Sequence, residues 1–404
     1  MKIALVHDWL TGMRGGEKCL EVLCRRFPEA QLYTLVHRPG ATSPAIERMR
    51  ITTSFLQHIP GATRHYRYLL PLMPRAVEHL EIGKDVDVVV SFSHAVAKSV
   101  RVPPGVPHVC YCFTPMRYAW HLREEYFGPT NDDHAKGGVI SGSVRGTLSM
   151  ARDAVLERIR HWDQATSDRV THYVSVSNTV SRRIAECYGR QSRVIYPPVD
   201  TNFFTPSPAG REVNREDFYL VVSALVPYKR IELAIAACRR LGRRLVVIGS
   251  GPEESRLRKV AGDGIDLLGW QTDESVRDHL RRCQALLFPG QEDFGIVPLE
   301  AHACGTPVIA LAKGGATETV LPGGEKEKGS GLFFSEPTAE SLCGAIRRFE
   351  ENPAWFSAEV ARRQALRFRT EQFEQELVDF LATIVREHST ESQKEPTPRE
   401  SRGK

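Results

Sequence analysis

Short apolar runs alternate with segments of helical periodicity along most of the chain. The first run is 3–6, and after a glycine-rich turn the stretch CLEVLCRRF has apolar residues at helical spacing. Further apolar runs follow at 85–92, 106–113 and 170–178. Buried strands that alternate with helices are typical of a parallel sheet covered on both faces, so this half predicts a Rossmann-like α/β domain.

A proline-rich stretch, RVIYPPVDTNFFTPSP, interrupts this pattern, and a more regular alternation of strands and helices follows it. We therefore place a boundary between a domain at 1–195 and a second Rossmann-like domain at 196–365. A strongly amphipathic helix is predicted at 366–387. The polar, proline-containing end at 388–404 predicts a disordered tail.

Composition narrows the class of protein. Over 404 residues, 41% are hydrophobic and 25% charged, and the net charge of +5 is too mild to favour nucleic-acid binding as a main role. The chain has no run of eighteen apolar residues, so no membrane span is predicted. Its apolar start is too short for a signal peptide. Nine cysteines without a C-x-x-C pair indicate buried, reduced thiols in a cytoplasmic protein.

Two glutamates in the stretch GQEDFGIVPLEAHACG point to a binding site. Gly295 and Pro298 break any continuous helix, so Glu292 is predicted in a loop after a strand and Glu300 near the start of the next helix. The N–H groups of 294–297 suit an anion there. Either glutamate alone is explained by solvation or by helix preference, but together they suit two diols on either side of an anion.

Three other features could contact a ligand, and each also has a structural explanation. Lys229 and Arg230 follow a strand and open a helix, where they suit a phosphate or simply face solvent. Gly15 and Gly16 precede a helix and allow close approach of a phosphate, although a turn alone explains them. His94 follows a strand, where it could touch a substrate hydroxyl or be structural.

No metal site is convincing. Asp85 and Asp87 form a D-x-D at the start of a strand, which is the wrong end for a site, and the polar loop 131–134 has no third ligand nearby. The segment 64–80 mixes arginines with aromatic and aliphatic residues. It predicts either a surface that lies on an anionic membrane or a buried loop and helix, and both interpretations stay open.

With these motifs in place, the chain resembles the retaining glycosyltransferases of family 4, which have the GT-B fold of two Rossmann-like domains facing across a cleft. The resemblance is carried by EDFGIVPLEAHACGTPVIALAKGG, which contains the family's E-x7-E motif, by LVPYKR and by GSGPEESRL. It covers nearly all of 1–387 and is most specific at 219–320. The resemblance implies that 1–195 binds the acceptor, that 196–365 binds the nucleotide sugar and that 366–387 packs back on the first domain.

The resemblance also implies a role for each matching residue. Lys229 binds the donor's diphosphate, Glu300 the ribose and Glu292 the hydroxyls of the donor sugar, while His94 faces the reacting sugar. The remaining donor-binding positions are Arg230, the amides of Phe294, Gly295, Ile296 and Val297, and the close-approach glycines Gly15 and Gly16. The reaction retains configuration and needs no metal and no cofactor, since the nucleotide sugar is a substrate.

Two positions depart from the family pattern. Ala224 stands where many relatives have an arginine, so Arg230 or another cation must compensate, and Phe113 stands where a subgroup has histidine. The motifs HDWL, GGEK and TPMRYAW are most similar to bacterial mannosyltransferases of surface polysaccharide assembly. That implies GDP-mannose as donor and a glycan or polyprenyl-linked acceptor, at the inner face of the cytoplasmic membrane if 64–80 contacts it.

Alternative functions on the same fold remain open. These are a transferase of glucose or N-acetylglucosamine that uses a UDP donor, an epimerase-like nucleotide-sugar enzyme, and a non-catalytic module that binds a nucleotide sugar or glycan. A dinucleotide dehydrogenase is disfavoured, because no G-x-G-x-x-G follows either first strand.

Overall fold

The computed structural model of the protein describes residues 1–117, 119–120, 142–207 and 215–392. The polar loop at 131–134 lies outside the described residues. The chain folds as two compact units. The first consists of Met1–Ser175, Val180–Ile195 and the chain from Glu374 onward, and the second of Val176–Thr179 and Tyr196–Phe373.

A seven-stranded sheet forms the centre of the first unit, and its strand pairs are parallel. Its strands are β1 (Ile3–His7), β2 (Gln31–Thr34), β3 (Arg50–Thr53), β4 (Val88–Ser93), β5 (His108–Cys112), β6 (His172–Ser175) and β7 (Ser192–Val194). The spatial order is β3-β2-β1-β4-β5-β6-β7, so the direction of winding reverses between β1 and β4. In such sheets ligands bind beyond the carboxyl ends of the strands at the reversal.

Helices connect these strands. They are α1 (Gly15–Arg26), α2 (Pro44–Glu47), α3 (Ala62–His65), α4 (Met73–Glu78), α5 (Gly142–Ala165) and α6 (Asn178–Tyr188). Every residue of β1, β4 and β5 is buried, which explains why these strands are continuous apolar runs in the sequence.

The second unit repeats this plan with six parallel strands. They are β8 (Tyr219–Val222), β9 (Leu245–Ile248), β10 (Ile265–Gly269), β11 (Leu286–Phe288), β12 (Val308–Leu311) and β13 (Gly331–Phe334). The order is β10-β9-β8-β11-β12-β13, with the reversal between β8 and β11. The predicted fold class, two doubly wound Rossmann-like domains, is confirmed.

Eight α-helices of the described chain come after β8. They are α7 (Ile231–Leu241), α8 (Glu254–Ala261), α9 (Asp273–Arg282), α10 (Ile296–Ala303), α11 (Ala316–Thr319), α12 (Ala339–Glu351), α13 (Ala358–Leu366) and α14 (Thr370–Ser392). Helix α14 continues past 387, where the sequence predicts a disordered tail. The stretch 388–392 lacks proline and glycine, and the His388 ring contacts the Gly105 carbonyl at 2.8 Å, so nothing ends the helix at 387.

None of the nine cysteines forms a disulfide, and all nine are buried. Burial raises the pKa of Cys24, Cys283 and Cys304 to about 12, so these thiols are protonated at neutral pH. In the described part of the chain, no helix is both long and apolar enough to cross a membrane.

Candidate functional site

The loops that follow β8 and β11 bring two of the predicted site residues together. After β8 the chain makes a one-turn 3-10 helix, Pro227–Lys229, and Arg230 then caps α7. Lys229 therefore lies in a separate turn rather than in the helix that the sequence predicts it to open. The Lys229 ammonium forms an ion pair with the Glu292 carboxylate from the loop after β11.

Close packing of backbone makes this ion pair possible. A Cβ at Gly290 would lie 2.8 Å from the Lys229 Cα, so only glycine lets the two loops approach this closely. The side chains of Lys229 and Glu292 are only 14% and 20% exposed. Partly shielded from water, the two charges interact more strongly than an exposed surface pair does.

The loop that carries Glu292 is held on several sides. The carbonyl of Glu292 accepts a hydrogen bond from the Gly315 N–H at 2.8 Å, and the Ser177 hydroxyl donates to the Asp293 carbonyl at 2.6 Å. The buried ring of Phe294 stacks on Tyr196 with centroids 5.6 Å apart. The backbone of this loop is therefore fixed, and the Phe294 side chain is committed to packing.

Gly295 turns the chain from the loop into α10. Its φ of 92° is strained for other residues, and a Cβ there would lie 3.1 Å from the Phe288 ring. The first amides of a helix have no intrahelical acceptor, so Ile296 and Val297 direct N–H groups away from the start of α10. Of the residues 294–297, for which the sequence predicts an anion site, Ile296 and Val297 thus open the helix, while Gly295 caps it.

Two polar residues lie further along α10. Glu300 is buried and lies on the helix that follows the Glu292 loop. His302 is fully buried and donates its Nε2–H to the Ser330 carbonyl at 3.0 Å. Burial lowers the pKa of His302 to about 4, so it stays neutral and is a structural residue.

The first unit has its own cluster at the strand reversal, where the loops after β1 and β4 meet. Gly15 and Gly16 are the first residues of α1, and Gly16 lies beside His7 and Phe113. His94 directly follows β4, and its Nδ1 lies 3.0 Å from a carboxylate oxygen of Asp8, which follows β1. The motif search did not single out Asp8, although a carboxylate directly after a buried strand was a usable signal.

Metal ligation is not apparent at either reversal. Among the residues that the structure describes, no three His, Cys, Asp or Glu side chains are grouped to hold an ion. Asp85 and Asp87 instead contact Lys2 at the amino ends of the strands, with Asp85 2.7 Å from the Lys2 ammonium.

Comparison with solved structures shows the same fold in glycosyltransferases. HepE of Anabaena, in a complex with UDP and glucose, matches 95% of this chain at a TM-score of 0.67 and 18% identity, and 99% of that chain is covered. Sucrose-phosphate synthase of Thermosynechococcus elongatus matches the same share of this chain at a TM-score of 0.67 and 17% identity, with 99% of its own chain covered.

Curated relatives match about half of the chain. A D-inositol 3-phosphate glycosyltransferase of Kineococcus radiotolerans is 29% identical over 235 residues, which is 50% of this chain and 54% of the relative. A GDP-mannose-dependent alpha-(1-6)-phosphatidylinositol monomannoside mannosyltransferase of Mycobacterium tuberculosis is 33% identical over 198 residues, 42% of this chain and 50% of the relative. The chain thus spans about half the length of these relatives.

A family model locates the similarity within the second unit. The model described as "Glycosyl transferases group 1" matches residues 206–368, the part of the chain that holds the Lys229–Glu292 pair and α10. Residues 206–368 therefore match the Glycosyl transferases group 1 family, and the chain as a whole has the fold of the solved structures above.

Proposed function

We propose that the protein transfers a hexose from a nucleotide sugar to a hydroxyl group of an acceptor. The Lys229–Glu292 ion pair beside the start of α10 carries this proposal. It places a cation, a carboxylate and helix amides at the carboxyl edge of the second sheet, where the strand order reverses. A diphosphate needs the cation and the helix amides, and a sugar needs the carboxylate.

The pair gives donor binding a defined exchange of partners. Without a ligand, Lys229 and Glu292 neutralise each other. The diphosphate of a donor offers Lys229 more negative charge than one carboxylate does, while the amides of Ile296 and Val297 hold the same phosphates. Glu292 is then available to accept hydrogen bonds from the sugar's hydroxyl groups, and Glu300 and Arg230 bind the ribose and the phosphates.

In the proposed reaction, the bond between the sugar's anomeric carbon and the phosphate oxygen breaks. A bond to the acceptor oxygen forms on the same face of the sugar, and the acceptor's proton passes to the leaving phosphate. Lys229 and the helix amides stabilise the negative charge that develops on that phosphate. The step retains configuration and requires neither a metal nor a cofactor.

For the donor we propose GDP-mannose. The similarity to GDP-mannose-dependent mannosyltransferases of Mycobacterium tuberculosis and Corynebacterium glutamicum supports this choice. The proposed acceptor is a glycan or polyprenyl-linked sugar of surface polysaccharide assembly, such as lipopolysaccharide or exopolysaccharide.

A lipid-linked acceptor fits a surface of the first unit. Arg64, Tyr68, Leu72 and Arg75, which we call the basic face, are exposed, with Tyr68 85% exposed. Along the chain they alternate with the buried Ala62, Tyr66, Leu70, Met73 and Val77. No Asp or Glu occurs within 54–77, so an anionic membrane would meet no repulsion from this segment. The buried residues fit the interpretation of 64–80 as a packed segment, and we propose the membrane interpretation for the basic face alone.

Thermal shift and turnover test the proposed function. A ligand at a hundred times its dissociation constant adds about 2.7 kcal/mol to the free energy of unfolding. We expect GDP-mannose to stabilise the protein more than UDP-glucose does. We expect Glu292→Gln to lose transfer but to bind GDP at least as tightly as the parent, because Lys229 no longer has a competing carboxylate. Glu327→Gln, in an exposed loop, is the control.

Each contrary outcome indicates a different function. Full turnover in Glu292→Gln contradicts the role of that residue. Stronger stabilisation by UDP-glucose indicates a transferase with a UDP donor. An epimer or free sugar formed without acceptor indicates an epimerase-like enzyme, and binding without any turnover indicates a non-catalytic module.

A further inference from the structure

Asp8 is a buried carboxylate that accepts hydrogen bonds from a whole turn of backbone. It directly follows β1 and is fully buried. Its Oδ2 accepts from the N–H groups of His94 at 2.7 Å and Ala95 at 2.9 Å, and its Oδ1 from those of Val96 at 2.8 Å and Ala97 at 2.7 Å. A carboxylate is tolerated inside a protein when donors replace water in this way.

The imidazole of His94 is a further donor to Asp8. Its Nδ1 lies 3.0 Å from Asp8 Oδ2. Burial raises the pKa of Asp8, but attraction to His94 and the hydrogen bonds from it outweigh burial and hold the pKa at about 2. Asp8 is therefore ionised at neutral pH and can only accept, so the Nδ1 of His94 must carry the hydrogen.

Aromatic neighbours fix the His94 ring in place. The edge of the Trp9 ring system packs against it with centroids 4.5 Å apart at 85°, and the rings of Phe113 and His7 lie 6.2 and 6.3 Å away. The His94 side chain nevertheless keeps 31% of its surface exposed. In the neutral imidazole with hydrogen on Nδ1, Nε2 holds a lone pair and can only accept a hydrogen bond.

His7 repeats the same tautomer at a neighbouring position. Its Nδ1 lies 3.0 Å from the Trp9 carbonyl, which can only accept, so Nδ1 donates there too. Burial lowers the pKa of His7, and it stays neutral. Its Nε2 is buried without a hydrogen-bond partner among the described residues. The carboxylates of Glu17 and Asp8 act on the pKa of His7 in the opposite direction to burial, and both are buried.

We propose that Asp8 is a positioning residue that holds the His94 ring with its Nδ1–H toward Asp8, so that Nε2 of the neutral ring accepts a hydrogen bond from a hydroxyl group of a sugar. This proposal rests on the proposed function, which gives His94 a sugar ligand. It adds a residue and a direction of hydrogen bonding: the ligand must donate. Phosphate oxygens cannot donate, and the buried Asp8 carboxylate beside the His94 ring repels them.

Nitrogen NMR of the ligand-free full chain tests the geometry without any activity. In a chain labelled with ¹⁵N-histidine, at pH 8, we expect long-range correlations to show hydrogen on Nδ1 and a lone pair on Nε2 for His94. His7 should show the same tautomer and serves as an internal reference, and His94→Gln identifies the His94 signals. Hydrogen on Nε2 of His94 in the parent protein would overturn the proposal.

A double-mutant cycle tests the function of the contact. With GDP-mannose, or with UDP-glucose if only that donor turns over, we expect Asp8→Asn to lower kcat roughly tenfold to a hundredfold through misplacement of His94. Once His94→Ala has removed the imidazole, we expect Asp8→Asn to add no further loss. Losses that simply multiply would show that Asp8 acts elsewhere and would overturn the proposal. Asp85→Asn, at a side chain 88% exposed, is the matched control.

Failure of this proposal can be told apart from failure of the proposed function. A parent protein that turns over no nucleotide sugar contradicts the proposed function, while the NMR measurement still decides whether Asp8 holds His94. If Asp8→Asn loses the fold, which circular dichroism would show, the tautomer of His94 in the parent protein decides the matter alone.

Discussion

At the scale of single residues, the Lys229–Glu292 ion pair is the contact on which the proposed donor site depends. The spacing of Glu292 and Glu300 across Gly295 and Pro298 predicts a loop followed by a helix, and that is what the structure has. The ion pair between Glu292 and Lys229 was not predicted, because it depends on how two loops distant in sequence approach. The contacts of Asp8 were not predicted either. Its position directly after a buried strand was a usable signal, but its backbone N–H partners carry no sequence signature.

Arg230 is strained at the residue scale. It has a φ of 53°, and no other described non-glycine residue has a positive φ. Strain of this kind costs about 1–2 kcal/mol and is commonest where function requires it. We expect Arg230→Gly to be up to about 1 kcal/mol more stable than Arg230→Ala in urea denaturation, because only glycine relieves the strain while itself losing entropy. Both variants lack the guanidinium, so GDP titration should show the same weakened affinity in each.

Either of two results would contradict this prediction. A glycine variant no more stable than the alanine variant would mean that the strain at Arg230 does not exceed the entropy that glycine loses. Unchanged GDP affinity in both would mean that the guanidinium does not bind the phosphates, and that the cation replacing the arginine absent at Ala224 must be sought elsewhere.

At the scale of elements, the fully buried strands of the first unit were predicted, whereas three strands at or near the edges of its sheet were not. The continuous apolar runs predict β1, β4 and β5, whereas β2, β3 and β7 have only three or four residues each. Edge strands such as β3 alternate exposed and half-buried residues, so their sequence resembles a loop. The position of a short edge strand depends on the sheet it joins more than on its own residues.

The basic face is an element-scale feature with a direct test. Each arginine near an anionic membrane surface contributes about 1 kcal/mol. We expect the protein to sediment with phosphatidylserine vesicles more than with phosphatidylcholine vesicles, and Arg64→Gln with Arg75→Gln to reduce binding roughly tenfold or more. Tyr68→Ser with Leu72→Ser should weaken binding that persists at high salt, and Lys84→Gln, at an exposed lysine outside the face, is the control. Equal binding to both vesicles would contradict membrane contact through this face.

At the scale of the whole molecule, the sequence pattern predicts two α/β units, and the family resemblance implies that the last helix returns to the first of them. Helix α14 begins in the second unit, and its residues from Glu374 onward belong to the first. There Leu377, Leu381 and Ile384 are buried, and the Phe380 ring lies against Arg193, 5.2 Å from its guanidinium. Amphipathic periodicity predicts such a helix, but only the folded chain shows which residues it covers.

Leu381→Ala tests how far α14 supports the first unit. Removing a buried leucine side chain costs about 2–5 kcal/mol, so we expect the first unit to lose stability and the second to keep it. Hydrogen exchange followed by mass spectrometry should show faster exchange in β6 and β7 and unchanged exchange in β8 and β9. Arg386→Ala, on the exposed side of α14, should leave all four strands as they are. Faster exchange in β8 would show that α14 also supports the second unit.

The buried thiols can serve as natural probes of local opening of the structure. Five of the nine lie in the first unit and four in the second, and each is covered by the fold. An alkylating reagent reacts with a thiolate, so it labels a given cysteine only when the surrounding structure opens and the thiol can ionise. The rate of labelling at each cysteine therefore reports how readily the structure around that cysteine opens. The natural chain reports this in both units without any introduced probe.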